Sequence, residues 1–198
     1  YLGETFDIHT GGVDLVFPHH QNEIAQSEGA TGKPFARYWM HNEFVNLDGV
    51  GMSKSLGNNL GLRDIRESEE DVAGFRYLVV TSHYRTTLNF TREALDGAVR
   101  ARQRLDRLYR RLLKLAGDTD ASAGAAWRDA VSRCRQGFTA AMDDDLNAPR
   151  AMAAVFGLVG AAERAAAGDG MGPGDARAVA GILEEVDAVL GVLRASGA

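Results

Sequence analysis

At 198 residues, with 45% hydrophobic and 25% charged residues, the chain has the composition of a soluble globular protein with room for one well-buried core or two small ones. No apolar run approaches the roughly 20 residues needed to span a bilayer, and the single cysteine, Cys134, excludes an internal disulfide. A net charge of −5 gives no general attraction for nucleic acid, so such binding would have to come from local patches.

The chain opens on YLGETFDIHTGG, without an initiator methionine or a signal-peptide layout. This reads as a piece of a longer chain, cut inside a domain, in a reducing cytoplasmic setting. In TFDIHT, Phe6 and Ile8 alternate with Asp7 and His9, the pattern of a short strand, and Gly11–Gly12 should break it. VDLVF is a second apolar run, ended by Pro18. Proline suits the first turn of a helix, so PHHQNEIAQSEGA is expected to be helical up to the Gly29, Gly32 and Pro34 stop signals. RYWMHNEFVNL has the aromatic and β-branched content of a strand, and DGVGMSKSLGNN that of a glycine-rich polar loop.

The acidic, solvated DIRESEED leads to the apolar VAGFRYLVVTSH. After YRTTLNFTREAL, with Thr91 as N-cap, the composition turns to Ala, Leu and Arg. Leu95, Val99, Leu105, Leu108, Leu112 and Leu115 form a helical stripe. Breaks and prolines predict three more helices near 125–142, 149–167 and 174–195, and short connections between long helices predict an antiparallel bundle. The expected architecture is therefore an α/β segment (1–60), a linking segment (61–90) and an all-α bundle (91–198).

Two stretches have chemical potential. On a helix starting near Pro18, His19 and Glu23 are four residues apart and share a face, so both could ligate one zinc ion. His20 lies about 100° round the helix. Two ligands do not close a tetrahedral site, and a solvent-facing His–Glu pair is the simpler reading. In GMSKSLGN, Lys54 sits between Ser53 and Ser55 among small residues, a composition that can wrap a polyphosphate or be an exposed loop. It does not match the Walker pattern.

Taken together, FDIHTGGVDLVFPHHQNEIAQSEGATGKPFARYWMHNEFVNLDGVGMSKSLGN, then SHYRTTLNFT and FTAAMDDDLNAPRAM, closely resemble the cysteinyl-tRNA synthetase family over nearly the whole chain. The resemblance implies the second half of a class I, Rossmann-type catalytic domain, a stem-contact segment over 61–90 and a tRNA-binding helical bundle. It implies activation of cysteine with ATP and Mg²⁺ to cysteinyl-adenylate and transfer to tRNA(Cys), in a cytoplasmic protein that is expected to be a monomer.

By motif, His19 and Glu23 match two of four zinc ligands, the other two being cysteines upstream of this sequence. The metal would read the substrate thiolate, which serine's hydroxyl imitates poorly. Lys54 matches the second lysine of the signature loop, which stabilises phosphate charge, with Ser53 and Ser55 beside it. Gly11, Gly12 and Asp14 match the lining of the adenosine pocket, His41 and Asn42 the strand beside adenine, and His9 and His20 the pocket floor. Two departures stand out. Gly51 replaces the loop's first lysine, and Ala148 stands where the family has a threonine cap, a loss of about 1 kcal/mol. The family's HIGH motif, first half-domain and small anticodon-binding domain are absent from these residues, so the fragment alone is expected to be inactive.

The run Arg100, Arg102, Arg104, Arg107, Arg110, Arg111 and Lys114 on one helix reads first as a solvated face. The resemblance favours tRNA backbone contact through Arg100, Arg104, Arg107 and Arg111. DDDLNAP reads as a helix stop and start without catalytic duty, and Cys134 as a core residue. Two alternatives share these features: a related cysteine ligase with an amino-sugar acceptor, and a non-catalytic RNA-binding paralogue.

Overall fold

The computed structural model describes residues 2–53, 57–65, 67–118, 120–168 and 170–193. They form two compact units, Tyr1–Leu60 with Tyr84–Thr91, and Gly61–His83 with Arg92–Ala198. No helix among the described residues is long and apolar enough to cross a membrane.

The first unit is built on a βαβ arrangement. Strand β1 (Phe6–Gly12) runs parallel to β2 (Ala36–Asn42), and helix α1 (Gln21–Thr31) lies between them in sequence. Parallel neighbours need such a crossover connection. The strand does not stop at the glycine pair as expected: Gly11 and Gly12 pair with His41 and Asn42 and complete the ladder. VDLVF is not a strand. Val13–Leu15 form a 3₁₀ turn, and Phe17 is extended (φ −134°, ψ 133°) before a cis bond to Pro18. From Pro18 the chain is helical as expected: a π-type turn over Val16–His20, interrupted at Phe17, runs directly into α1. Its end is as expected, at Gly32 in the left-handed region (φ 68°).

RYWMHNEFVNL divides into β2 and β3 (Val45–Leu47). The expected glycine-rich loop begins instead as a hairpin: β4 (Val50–Gly51) folds antiparallel on β3 around Asp48 (φ 49°) and Gly49 (φ 81°), the two-residue turn that Asp-Gly favours. Strand β5 (Leu88–Phe90) pairs with β3 in parallel, and Asn89 Oδ1 accepts the Gly49 N–H at 2.7 Å.

In the second unit, α2 (Leu62–Ile65) precedes α3 (Glu69–Val80). Most of the acidic DIRESEED is thus structured, with Ser68 and Asp71 forming a capping box at the start of α3. The four long helices follow: α4 (Arg92–Ala116), α5 (Ala125–Asp143), α6 (Ala148–Ala167) and α7 (Pro173–Leu190). Their facing sides hold a core with Leu112, Val155, Val159 and Val179 fully buried. Each such side chain contributes about 1.5–3 kcal/mol. Leu115 leaves the expected stripe and is exposed, while Ala98, Arg102 and Ala116 take buried positions on α4. Cys134 is in this core, and burial raises its thiol pKa. The start of α6 is not uncapped. Asn147 Oδ1 accepts the Arg150 N–H at 3.1 Å, one residue before Ala148.

Candidate active site

Parallel strands present ligand sites beyond their carboxyl ends, and here the ends of β1 and β2 are Gly11–Gly12 and His41–Asn42. Each pair divides its work. Gly12 and Asn42 line a cleft of about 620 Å³ together with Asp14, Asn46, Gly51 and Met52. Gly11 and His41 face a cluster of histidines. Gly11 is required by close approach, since a Cβ there would lie 2.7 Å from Cε1 of the buried His20, whereas at Gly12 only the carboxylate of the exposed Asp14 comes near.

The cluster is assembled from three elements. His9 comes from the middle of β1, His20 and Glu23 from the start of α1, and His41 from β2. His20 is 3% exposed and its Nδ1 lies 2.9 Å from His41 Nε2. Its pKa is lowered, first by burial and then by the neighbouring His9 and His41. The rings of His9 and His20 meet edge to face at 4.9 Å, and Trp39 packs on both, at 4.7 Å and 5.1 Å.

Glu23 is the hub. Its Oε2 lies 3.0 Å from His9 Nε2, and its Oε1 3.7 Å from His19 Nε2. The first approach is close enough for an ion pair but is not aligned as a hydrogen bond, so buried Oε2 has no donor. A buried carboxylate oxygen without a donor is costly unless a cation meets it. Potential ligand atoms of His9, His20 and Glu23 lie within 4.8 Å of one another. His19, 59% exposed, is on the outer side of Glu23. Imidazole nitrogen and carboxylate oxygen are both ordinary zinc ligands, so these residues fit part of a zinc site. Trp39 is the member that sequence reading missed, because an aromatic in a strand announces only burial.

Of the loop residues, Lys54 and Ser55 lie outside the described residues. Ser53 is half-buried, and its N–H donates to Asn58 Oδ1 at 2.8 Å.

The arginine run on α4 separates into different kinds. Arg102 is buried between Glu70 (2.5 Å) and Asp106 (3.0 Å), with Nε unpaired. Arg104 grips Glu163 through Nε (2.8 Å) and a second guanidinium nitrogen (2.5 Å). That bond lowers the Glu163 pKa and raises that of Arg104. Arg111 donates to the Ala166 carbonyl. Arg100, Arg107, Arg110 and Lys114 form no ion pair among the described residues.

Residues 1–100 match the family model of the tRNA synthetases class I (C) catalytic domain, and residues 137–194 match the DALR domain. The chain is 47% identical over 197 residues to a "Cysteine--tRNA ligase" of Acidovorax sp. (strain JS42), covering 98% of this chain and 38% of that protein. It is 43% identical to one of Chlamydia pneumoniae, covering 97% and 40%. The chain thus spans about two fifths of the length of these relatives. The fold resembles a chain of the LeuRS–tRNA–LeuAMS ternary complex from Agrobacterium radiobacter, with a TM-score of 0.74, 16% identity, and coverage of 94% of this chain and 26% of that one. With half of its residues matched to the catalytic-domain model, the chain belongs to the class I (C) tRNA synthetase family.

Proposed function

We propose that these residues supply part of a cysteine–tRNA ligase, which activates cysteine with ATP and transfers it to tRNA(Cys). The observation that supports this most is the juxtaposition at the strand ends: a nucleotide-sized cleft on one side, and a carboxylate–histidine cluster one residue away along both strands. ATP occupies the cleft against Gly12, Asp14 and Asn42, where a backbone without side-chain bulk allows close approach. Lys54, with Ser53 and Ser55, would neutralise phosphate charge as adenylate forms, and Mg²⁺ bound with ATP would add to that neutralisation. His19 and Glu23 hold zinc with ligands from outside these residues, and the bound metal supplies a soft Lewis-acid contact that favours a thiolate over a hydroxyl.

The buried His20 supports this pocket from below. Its Nδ1 lies 2.9 Å from His41 Nε2, which holds the ring against Gly11 beside Glu23. His9 Nε2 approaches the Glu23 carboxylate to 3.0 Å from the strand side. Arg100 and Arg107, with Arg104 and Arg111 bracing their helix, offer the bundle's cationic contact to the tRNA backbone. Such a protein acts in the cytoplasm as a monomer.

The test is ATP–pyrophosphate exchange by the complete gene product with cysteine, serine or no amino acid. Exchange with cysteine, and at least about 10⁴-fold less with serine, is expected for a site built on one specific bond. Equal exchange with both amino acids would overturn the thiolate reading. No exchange by folded, zinc-loaded protein would favour an RNA-binding paralogue.

A further inference from the structure

One side chain near the cleft has a role that the catalytic reading does not use. Strand β4 is only two residues long, both exposed, and its ladder with β3 ends at the Asn46–Gly51 pair. Gly51 adds no packing of its own. The nearest atom to a Cβ built there is Asn46 Oδ1, at 3.9 Å. Yet Gly51 and Met52 form one wall of the 620 Å³ cleft.

Beyond the ladder, the Asn58 amide takes over. Its Oδ1 accepts the Ser53 N–H at 2.8 Å, and its Nδ2 donates to the Gly51 carbonyl at 3.0 Å. One planar group thereby ties two peptide units, five and seven residues upstream, on either side of Met52. Gly57, at φ 67°, supplies the left-handed step before Asn58. Both halves of the amide are needed, since a carboxylate lacks the donor and a longer amide places its head group elsewhere.

We infer that Asn58 is a positioning residue for the nucleotide cleft, fixing the Gly51–Ser53 backbone where Gly51 provides no side chain to do so. The inference rests on the cleft being the ATP site. Asn58 acts through the backbone of Gly51 and Ser53 and touches no reacting atom. A wall displaced by about 1 Å lowers the rate of a positioned reaction by up to about 10²-fold.

The experiment compares Asn58→Ala, Gly51→Ala and the double variant in the complete gene product, using exchange kinetics and thermal unfolding. Asn58→Ala should lower kcat/KM for ATP by about 10- to 100-fold, with the KM for cysteine and the melting temperature unchanged. Gly51→Ala, which narrows the backbone freedom of an open position, should recover part of that loss in the Asn58→Ala background. Asn58→Ala with wild-type ATP kinetics would overturn the inference. So would equal losses towards ATP and cysteine together with a lower melting temperature, because these describe unfolding. If the wild type shows no cysteine-dependent exchange, the ligase reading fails separately. Titration with a fluorescent ATP analogue then decides: weaker binding by Asn58→Ala upholds the positioning role, and equal binding overturns it.

Discussion

Gly11→Ala is the smallest change that should disable the histidine cluster. The added Cβ would lie 2.7 Å from His20 Cε1, 2.9 Å from His20 Nε2 and 3.1 Å from Leu15 Cδ1. Carbon atoms prefer about 3.5–4.0 Å, so the ring must retreat by about 0.8 Å. Retreat is obstructed on several sides: His20 is 3% exposed, bonded to His41 at 2.9 Å, and packed by Trp39 and His9. Overpacking of this kind costs about 1–3 kcal/mol. Urea unfolding followed through Trp39 fluorescence should register that loss in the first unit. Cysteine-dependent exchange by the complete gene product should fall about 10²-fold, the usual consequence of misplacing a positioned group by about 1 Å. Wild-type stability and exchange in Gly11→Ala would refute the argument, because the ring could not then be packed against β1 as described.

Arg102→Ala removes the buried guanidinium shared by Glu70 and Asp106 and should cost about 3–5 kcal/mol in urea unfolding. Replacing both Arg102 and Asp106 by leucine should cost less, and a loss under about 1 kcal/mol in the single variant would contradict a buried pair. Asn147→Ala should destabilise by about 1 kcal/mol through loss of the α6 cap, measured in the same way. Glu163 has a lowered pKa in the folded state, first through its hydrogen bond to Arg104. Its stabilisation is therefore present above the unfolded carboxylate pKa of about 4.3 and lost as pH falls through the lower folded value. A Glu163→Gln variant should show a shallower stability decline across that acid window. In RNA binding, Arg107→Ala should reduce the salt slope by about 1, whereas Arg104→Ala should act mainly on stability.

Local signals carried the helical half well. Pro149, Pro173 and the glycine breaks placed α5, α6 and α7 within a residue or two at their starts, because these residues act on their own backbone. Long-range effects were not legible. The extended Phe17 that interrupts the turn before α1 has no signal in VDLVF, and Gly11–Gly12 stay in β1 because β2 is there to pair with them. Arg104 finds Glu163 at a separation of 59 residues, which no helical periodicity announces. In the candidate site, the His19–Glu23 spacing picked out a carboxylate that two histidines approach in the fold. The approach of His9 to the same carboxylate needed the strand and helix to be adjacent in space. The cap of α6 is Asn147, one position before the Ala148 at which a cap was expected.

The central claim is a division of labour between a metal-holding pair, His19 and Glu23, and a phosphate-binding lysine, Lys54. The most direct test measures zinc content and cysteine-dependent ATP–pyrophosphate exchange together in the complete gene product and its Glu23→Ala and Lys54→Ala variants. Exchange should collapse in both variants, with zinc lost only from Glu23→Ala. Full zinc content in Glu23→Ala, or unimpaired exchange in Lys54→Ala, would contradict it.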